Sequence, residues 1–97
     1  MLADLMHALA QCREGIDRVD LRILELLNER TSIVLEVGRI KREAGLPIYE
    51  PRREDQVFRN VTANNPGPLS SDAVKRIFER IVDEMRKVQK DRIEEKC

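Results

Sequence analysis

Residues 5–41 read LMHALAQCREGIDRVDLRILELLNERTSIVLEVGRIK. Within this stretch Leu5, Leu9, Cys12, Ile16, Val19, Ile23, Leu26, Arg30, Ile33, Val37 and Ile40 follow one another in alternating steps of four and three, the spacing of a coiled-coil seam. Gly45 supplies a C-terminal cap and Pro47 stops continuation, so one helix is predicted over about residues 4–44. At 1.5 Å per residue such a helix is ~60 Å long, whereas a compact 100-residue domain has a radius of gyration of about 13 Å. The helix therefore reaches beyond any globule its own chain can build. Its seam must be covered by later helices of the chain and, for the remainder, by another molecule. An intertwined dimer is expected.

Turn-forming residues cluster at two places, Gly45-Leu46-Pro47 with Pro51, and Asn64-Asn65-Pro66-Gly67-Pro68. The segments they leave are a second helix over about 51–63 and a third over about 71–95. Pro51 suits a first turn, and the second helix turns Glu54, Val57, Phe58 and Val61 inward. Ser70-Ser71-Asp72 is a capping sequence with an acid in the first turn. The third helix carries the stripe Val74, Ile77, Phe78, Ile81, Val82, Met85 and Val88, with Gln89 on its edge and its charges mainly on the opposite face. The fold class is all-α, with three helices per chain, in a single domain spanning 1–97.

The 97 residues are 41% hydrophobic and 37% charged, with Tyr49, Phe58 and Phe78 as the aromatics. That is too apolar for a disordered chain and suits helices with charged outer faces. Eighteen Lys+Arg balance eighteen Asp+Glu, so no overall basic field exists for nucleic acid or an anionic membrane. An anion site must be a local concentration of cations. Cys12 and Cys97 form no disulfide framework or C-x-x-C spacing, and read as a small core thiol and an incidental terminal one. The opening residues lack the features of a signal peptide, and no apolar run approaches a membrane span. A cytoplasmic protein is expected.

The informative residues are polar groups inside apolar stripes. Arg30 occupies a seam position, and a second stripe of the first helix, Leu24, Leu27, Thr31, Val34 and Gly38, ends at Lys41. Arg30, Val34, Val37, Gly38 and Lys41 share one face. Arg30 and Lys41 stand ~16 Å apart along the axis, so their long side chains can bracket a small anion resting on Val34 and Val37. Gly38 then leaves room for it, which explains a mid-helix glycine that costs about 1 kcal/mol against alanine. Each residue also has a plainer reading. A seam arginine snorkels or pairs with a glutamate to set register, and a lysine near a helix C-terminus favours the dipole. Glu54 can be a helix-start acid, and Gln89 a solvated edge residue. Acid–base and nucleophilic patterns are missing: His7 lies near the N-terminus as a surface residue, and there is neither a Gly-rich phosphate loop nor metal-ligand spacing.

The runs Cys12-Arg13-Glu14-Gly15-Ile16-Asp17-Arg18-Val19-Asp20, Leu26-Leu27-Asn28-Glu29-Arg30, Val37-Gly38-Arg39-Ile40-Lys41 and Tyr49-Glu50-Pro51-Arg52-Arg53-Glu54 resemble the all-helical (type II) chorismate mutases over nearly the whole chain. The resemblance implies an intertwined homodimer, with two shared active sites, that rearranges chorismate to prephenate in phenylalanine and tyrosine biosynthesis. It implies that Arg30 and Arg13 hold the two substrate carboxylates and that Lys41 and Gln89 bond the ether oxygen. Glu54 would contact the ring hydroxyl, with Glu50 beside it and Arg53 in support. The family usually has Asp at the position of Glu50, and some members have Ser at that of Met85, which removes a hydroxyl contact. Arg13 and Arg30 are ~25 Å apart on one helix, so if both bind one small molecule, Arg13 comes from the partner chain. Such a unimolecular reaction uses no cofactor and no metal, and with a glutamine donor that does not titrate a broad pH profile is expected. Competing readings are an isochorismate-pyruvate lyase of the same fold and a non-catalytic helical dimerisation or regulatory module.

Overall fold

A computed structural model of the chain describes the backbone of residues 1–96 and the side chains of residues 1–92; Cys97 lies outside the described residues. The elements are three helices, α1 (Leu2–Ala44), α2 (Pro51–Ala63) and α3 (Ser71–Lys96), with boundaries close to those the sequence predicts. The chain divides into two compact units, Met1–Ser32 and the residues from Ile33 onward.

The first unit consists of α1 residues and the N-terminal methionine. Its first turn carries Asp4, an acid suited to the positive end of the helix dipole. Leu5, Leu9, Ile16, Val19, Ile23 and Leu26 are all exposed, and so is Cys12. The expectation of a core thiol at Cys12 is therefore not met within the chain: a single helix has no facing element to bury a seam residue. Thr31 donates its hydroxyl to the Leu27 carbonyl at 2.7 Å, a local bond that satisfies a polar group in the second stripe.

The second unit contains the end of α1 together with α2 and α3. The α1 terminus is closed by Gly45 at φ 70°, with Gly45 N–H donating to Arg42 O at 3.2 Å and Leu46 N–H to Lys41 O at 2.8 Å. This is a Schellman cap, and the left-handed conformation it needs favours glycine. Helix α2 begins at Pro51, and its N-cap residue Glu50 makes no side-chain capping bond. Ser70 caps α3, its hydroxyl accepting from Ala73 N–H at 3.1 Å. Between α2 and α3, Asn65 donates to Leu69 O at 2.7 Å and its own amide oxygen accepts from Gly67 N–H at 3.0 Å.

Val74, Val82 and Met85 of α3 are buried, with Val57, Phe58 and Val61 of α2 and Phe78, Ile81 and Val88 half-buried around them. Ile77, expected in the α3 stripe, is exposed. On α1 the two stripes part company. Ile33, Val37 and Ile40 of the seam are exposed, whereas Val34, Gly38 and Lys41 of the second stripe turn inward. The chain therefore builds its own core on the second stripe and leaves the seam uncovered.

Candidate functional site

Five polar side chains of the second unit form three inward-facing contacts, Lys41 with Glu50, Gln89 with the α1 backbone and Arg86 with Glu54. Lys41 stands in the last turn of α1 with its side chain only 12% exposed. Its ammonium donates to the Ile48 carbonyl at 3.0 Å and lies 2.5 Å from Glu50 Oε1. The missing cap of α2 is thereby explained: the Glu50 carboxylate faces Lys41 instead of the backbone N–H groups of its own helix. An ammonium has three donors. Two are engaged here, so a third is left for an acceptor oxygen.

Gln89, expected on the edge of the α3 stripe, is 8% exposed. Its Nε2 donates to the Val34 carbonyl at 2.9 Å. In a helix that carbonyl already accepts from the N–H four residues on, that of Gly38, and its second lone pair takes the amide. The reason for Gly38 follows. A Cβ there would stand 3.4 Å from Gln89 Cγ, at the near limit of van der Waals contact. Gly38 thus lets the glutamine side chain pack against the α1 backbone. The amide keeps a second N–H, and burial fixes its orientation.

Glu54 is also turned inward, its side chain 21% exposed. Arg86 grips it as a fork: Nη2 donates to Oε2 at 2.7 Å and Oε1 at 2.9 Å, and Nε to Oε2 at 3.2 Å. The guanidinium lies 4.8 Å from the centre of the Tyr49 ring, a cation–π distance, and Asp83 approaches it at 3.5 Å. The hydrogen bonds to Glu54 raise the pKa of Arg86 above its ordinary value. Arg86 was missed at the sequence level because it falls just outside the apolar stripe, beside Met85, where a charge reads as solvated. Its partner is 32 residues away, beyond any helical periodicity.

The structure thus brings Lys41 to Glu50, Gln89 to the α1 backbone and Glu54 to Arg86. Met85, buried in α3, offers packing and no hydroxyl. Arg53 is exposed on α2. Arg30, half-buried, and Arg13, exposed, belong to the first unit. Among the described residues no group of three His, Cys, Asp or Glu side chains gathers as metal ligands, and no helix is long and apolar enough to cross a membrane. Chemically, the site offers preplaced N–H donors on buried, oriented groups, and two cation–carboxylate pairs that are each neutral. An anionic ligand must have its charge met by further arginines.

A family model described as chorismate mutase type II matches residues 12–90. Among curated relatives, the bifunctional chorismate mutase/prephenate dehydratase of Aquifex aeolicus is 35% identical over 89 residues, covering 88% of this chain and 25% of its own length. The chorismate mutase of Methanocaldococcus jannaschii is 29% identical over 92 residues, covering 94% of this chain and 93% of its own length. The solved structure of chorismate mutase (form II) from Thermus thermophilus superposes with a TM-score of 0.83 at 36% identity, covering 84% of this chain and 93% of that one. The chain spans about a quarter of the bifunctional relative.

Proposed function

The chain belongs to the chorismate mutase type II family, and from that premise we propose that it catalyses the rearrangement of chorismate to prephenate, on the route to phenylalanine and tyrosine, as a cytoplasmic homodimer without a cofactor. The observation that carries the reading is the nearly enclosed Lys41 ammonium, held by Ile48 O and Glu50 with one donor to spare. In this reaction a C–O bond breaks as a C–C bond forms within one molecule, and no proton is transferred. Negative charge builds on the ether oxygen as the bond lengthens. A fixed N–H donor stabilises that charge more than it stabilises bound substrate, by ~3–4 kcal/mol for one well-placed group. Lys41 and the spare N–H of Gln89 supply such donors. Because the Gln89 amide is already bonded to Val34 O, it need not reorganise when the charge appears.

Arg30 and the partner's Arg13 bind the two carboxylates in this reading, supported by Arg53, because Lys41 and Arg86 are already matched by Glu50 and Glu54. Clamping both ends holds the flexible dianion in a near-attack conformation, an orientational contribution to the rate. Glu54 accepts from the ring hydroxyl, with Glu50 alongside, and Met85 closes the site by packing. The exposed seam of α1 is the surface on which a second copy would lie, which brings Arg13 to the partner's site.

The test is the loss of chorismate ultraviolet absorbance with purified protein and no added cofactor, run beside an Arg30→Ala control. Saturable conversion to prephenate that disappears in the control is expected. A folded dimer that leaves chorismate unchanged would overturn the reading, and pyruvate release from isochorismate would then assign the lyase.

A further inference from the structure

We propose that Arg86 is a positioning residue for the substrate hydroxyl contact, acting through Glu54; this rests on the reading that Glu54 accepts a hydrogen bond from the ring hydroxyl. A glutamate side chain has three rotatable bonds, and an unrestrained carboxylate samples several rotamers at an entropic cost to any geometry it must adopt. The Arg86 fork removes that freedom, since its Nε and Nη2 together fix the plane and distance of both Glu54 oxygens. The fork is itself restrained by the Tyr49 ring on its face and by Asp83 at 3.5 Å. Oε2 accepts two of these bonds and Oε1 only one, so Oε1 keeps a lone pair and Glu54 remains an acceptor while being held.

A second link runs the same way along the chain. Tyr49, against which Arg86 packs, immediately precedes Glu50, the partner of Lys41. One side chain of α3 therefore holds the Glu54 carboxylate and packs on the residue next to Glu50. Lysine could not substitute fully, because a point charge lacks the planar fork and stacks less well on an aromatic face.

The experiment is a double-mutant cycle of Arg86→Gln and Glu54→Gln, read as kcat and KM for chorismate and for an analogue in which hydrogen replaces the ring hydroxyl. With chorismate, Arg86→Gln is expected to lower kcat/KM by about tenfold, mostly through KM, as for a contact made equally in ground and transition states. In the Glu54→Gln background, and with the analogue, the same substitution should change kcat/KM by no more than about twofold. Arg86→Lys should recover part of the loss. If Arg86→Gln fails to fold by circular dichroism, Arg86→Lys measured in the same two backgrounds decides. A loss of equal size in both backgrounds, or undiminished with the analogue, would make Arg86 merely structural and overturn the proposal while leaving the assigned reaction intact. An unmodified protein with no turnover of chorismate would overturn both, and is distinguished by needing no variant.

Discussion

The two units of the chain treat their side chains in opposite ways. In Met1–Ser32 the large apolar residues of the seam are exposed and no tertiary neighbour within the unit covers them. From Ile33 onward a glutamine is buried beside Val82 and Met85, and a lysine is almost enclosed. Burying a polar group is unfavourable by a few kcal/mol unless it is hydrogen-bonded, and exposing an apolar face forgoes burial worth roughly 25 cal/mol per Å². The second unit meets the first condition completely, since among the described residues no buried side-chain polar atom lacks a partner. The first unit does not recover its apolar area within the chain. The contrast separates a surface made to be covered from a surface made to hold something polar, and each can be broken separately.

The largest effect is expected in the first unit. Ile23→Asp places a carboxylate in the seam. If a second copy covers that seam, an unpaired buried charge is unfavourable by several kcal/mol. Cooperative thermal unfolding and the dimer seen by sedimentation should both be lost. If Ile23 faces water in solution as it does in the single chain, the change is worth no more than about 0.5 kcal/mol and the seam is not an interface.

Lys41→Ala strikes the second unit. It should lower kcat/KM by at least about a hundredfold, the range for loss of one charge-stabilising donor. The fold should survive, because the abandoned Glu50 side chain is 47% exposed and can be solvated. An unchanged rate in a folded dimer would remove Lys41 from the chemistry.

Gly38→Ala is a finer probe of the same unit. Alanine gains about 1 kcal/mol of helix propensity, but its Cβ would crowd Gln89 Cγ at 3.4 Å. The melting temperature should stay within a few degrees of the parent while kcat/KM falls about tenfold, as the amide shifts by a few tenths of an ångström. A more stable protein of unchanged activity would mean that the glycine does not serve the glutamine.

The smallest effect belongs to the outer face of α1, where Arg39 bonds Glu36 and also Glu43, the latter at 2.7 Å. The bond to Arg39 holds the Glu36 carboxyl below its ordinary value of 4.5. A lowered folded pKa means stabilisation that is present above the unfolded value and lost as pH falls through the folded one. Glu36→Gln should therefore melt slightly below the parent at neutral pH, and the difference should vanish in strong acid and in ~1 M salt. A difference that persists in acid would assign the effect to something other than the ion pair.

Much of this contrast was legible in the sequence. The alternating four and three steps, the Gly45 cap and the Ser70 cap mark the helices, because each is a local rule acting within a few residues. Lys41, Glu54 and Gln89 stood out as polar groups on apolar stripes and do turn inward. Three things were not legible. Which α1 stripe the chain covers for itself depends on how α2 and α3 pack, and both stripes read alike. The acceptor for Gln89 is a backbone carbonyl, which has no residue-type signature. Arg86 was invisible because pairing across 32 residues leaves no periodic trace.

The most direct test of a site shared between subunits mixes two inactive variants, Arg13→Ala and Lys41→Ala, by joint refolding. In a mixed dimer one site receives Arg13 and Lys41 from different chains and is whole, while the other has neither. Random pairing makes half the dimers mixed, each with one good site of two, so about a quarter of the unmodified activity should return. If the mixture stays as inactive as its components while mixed dimers demonstrably form, Arg13 and Lys41 do not act across the interface and the shared site is wrong.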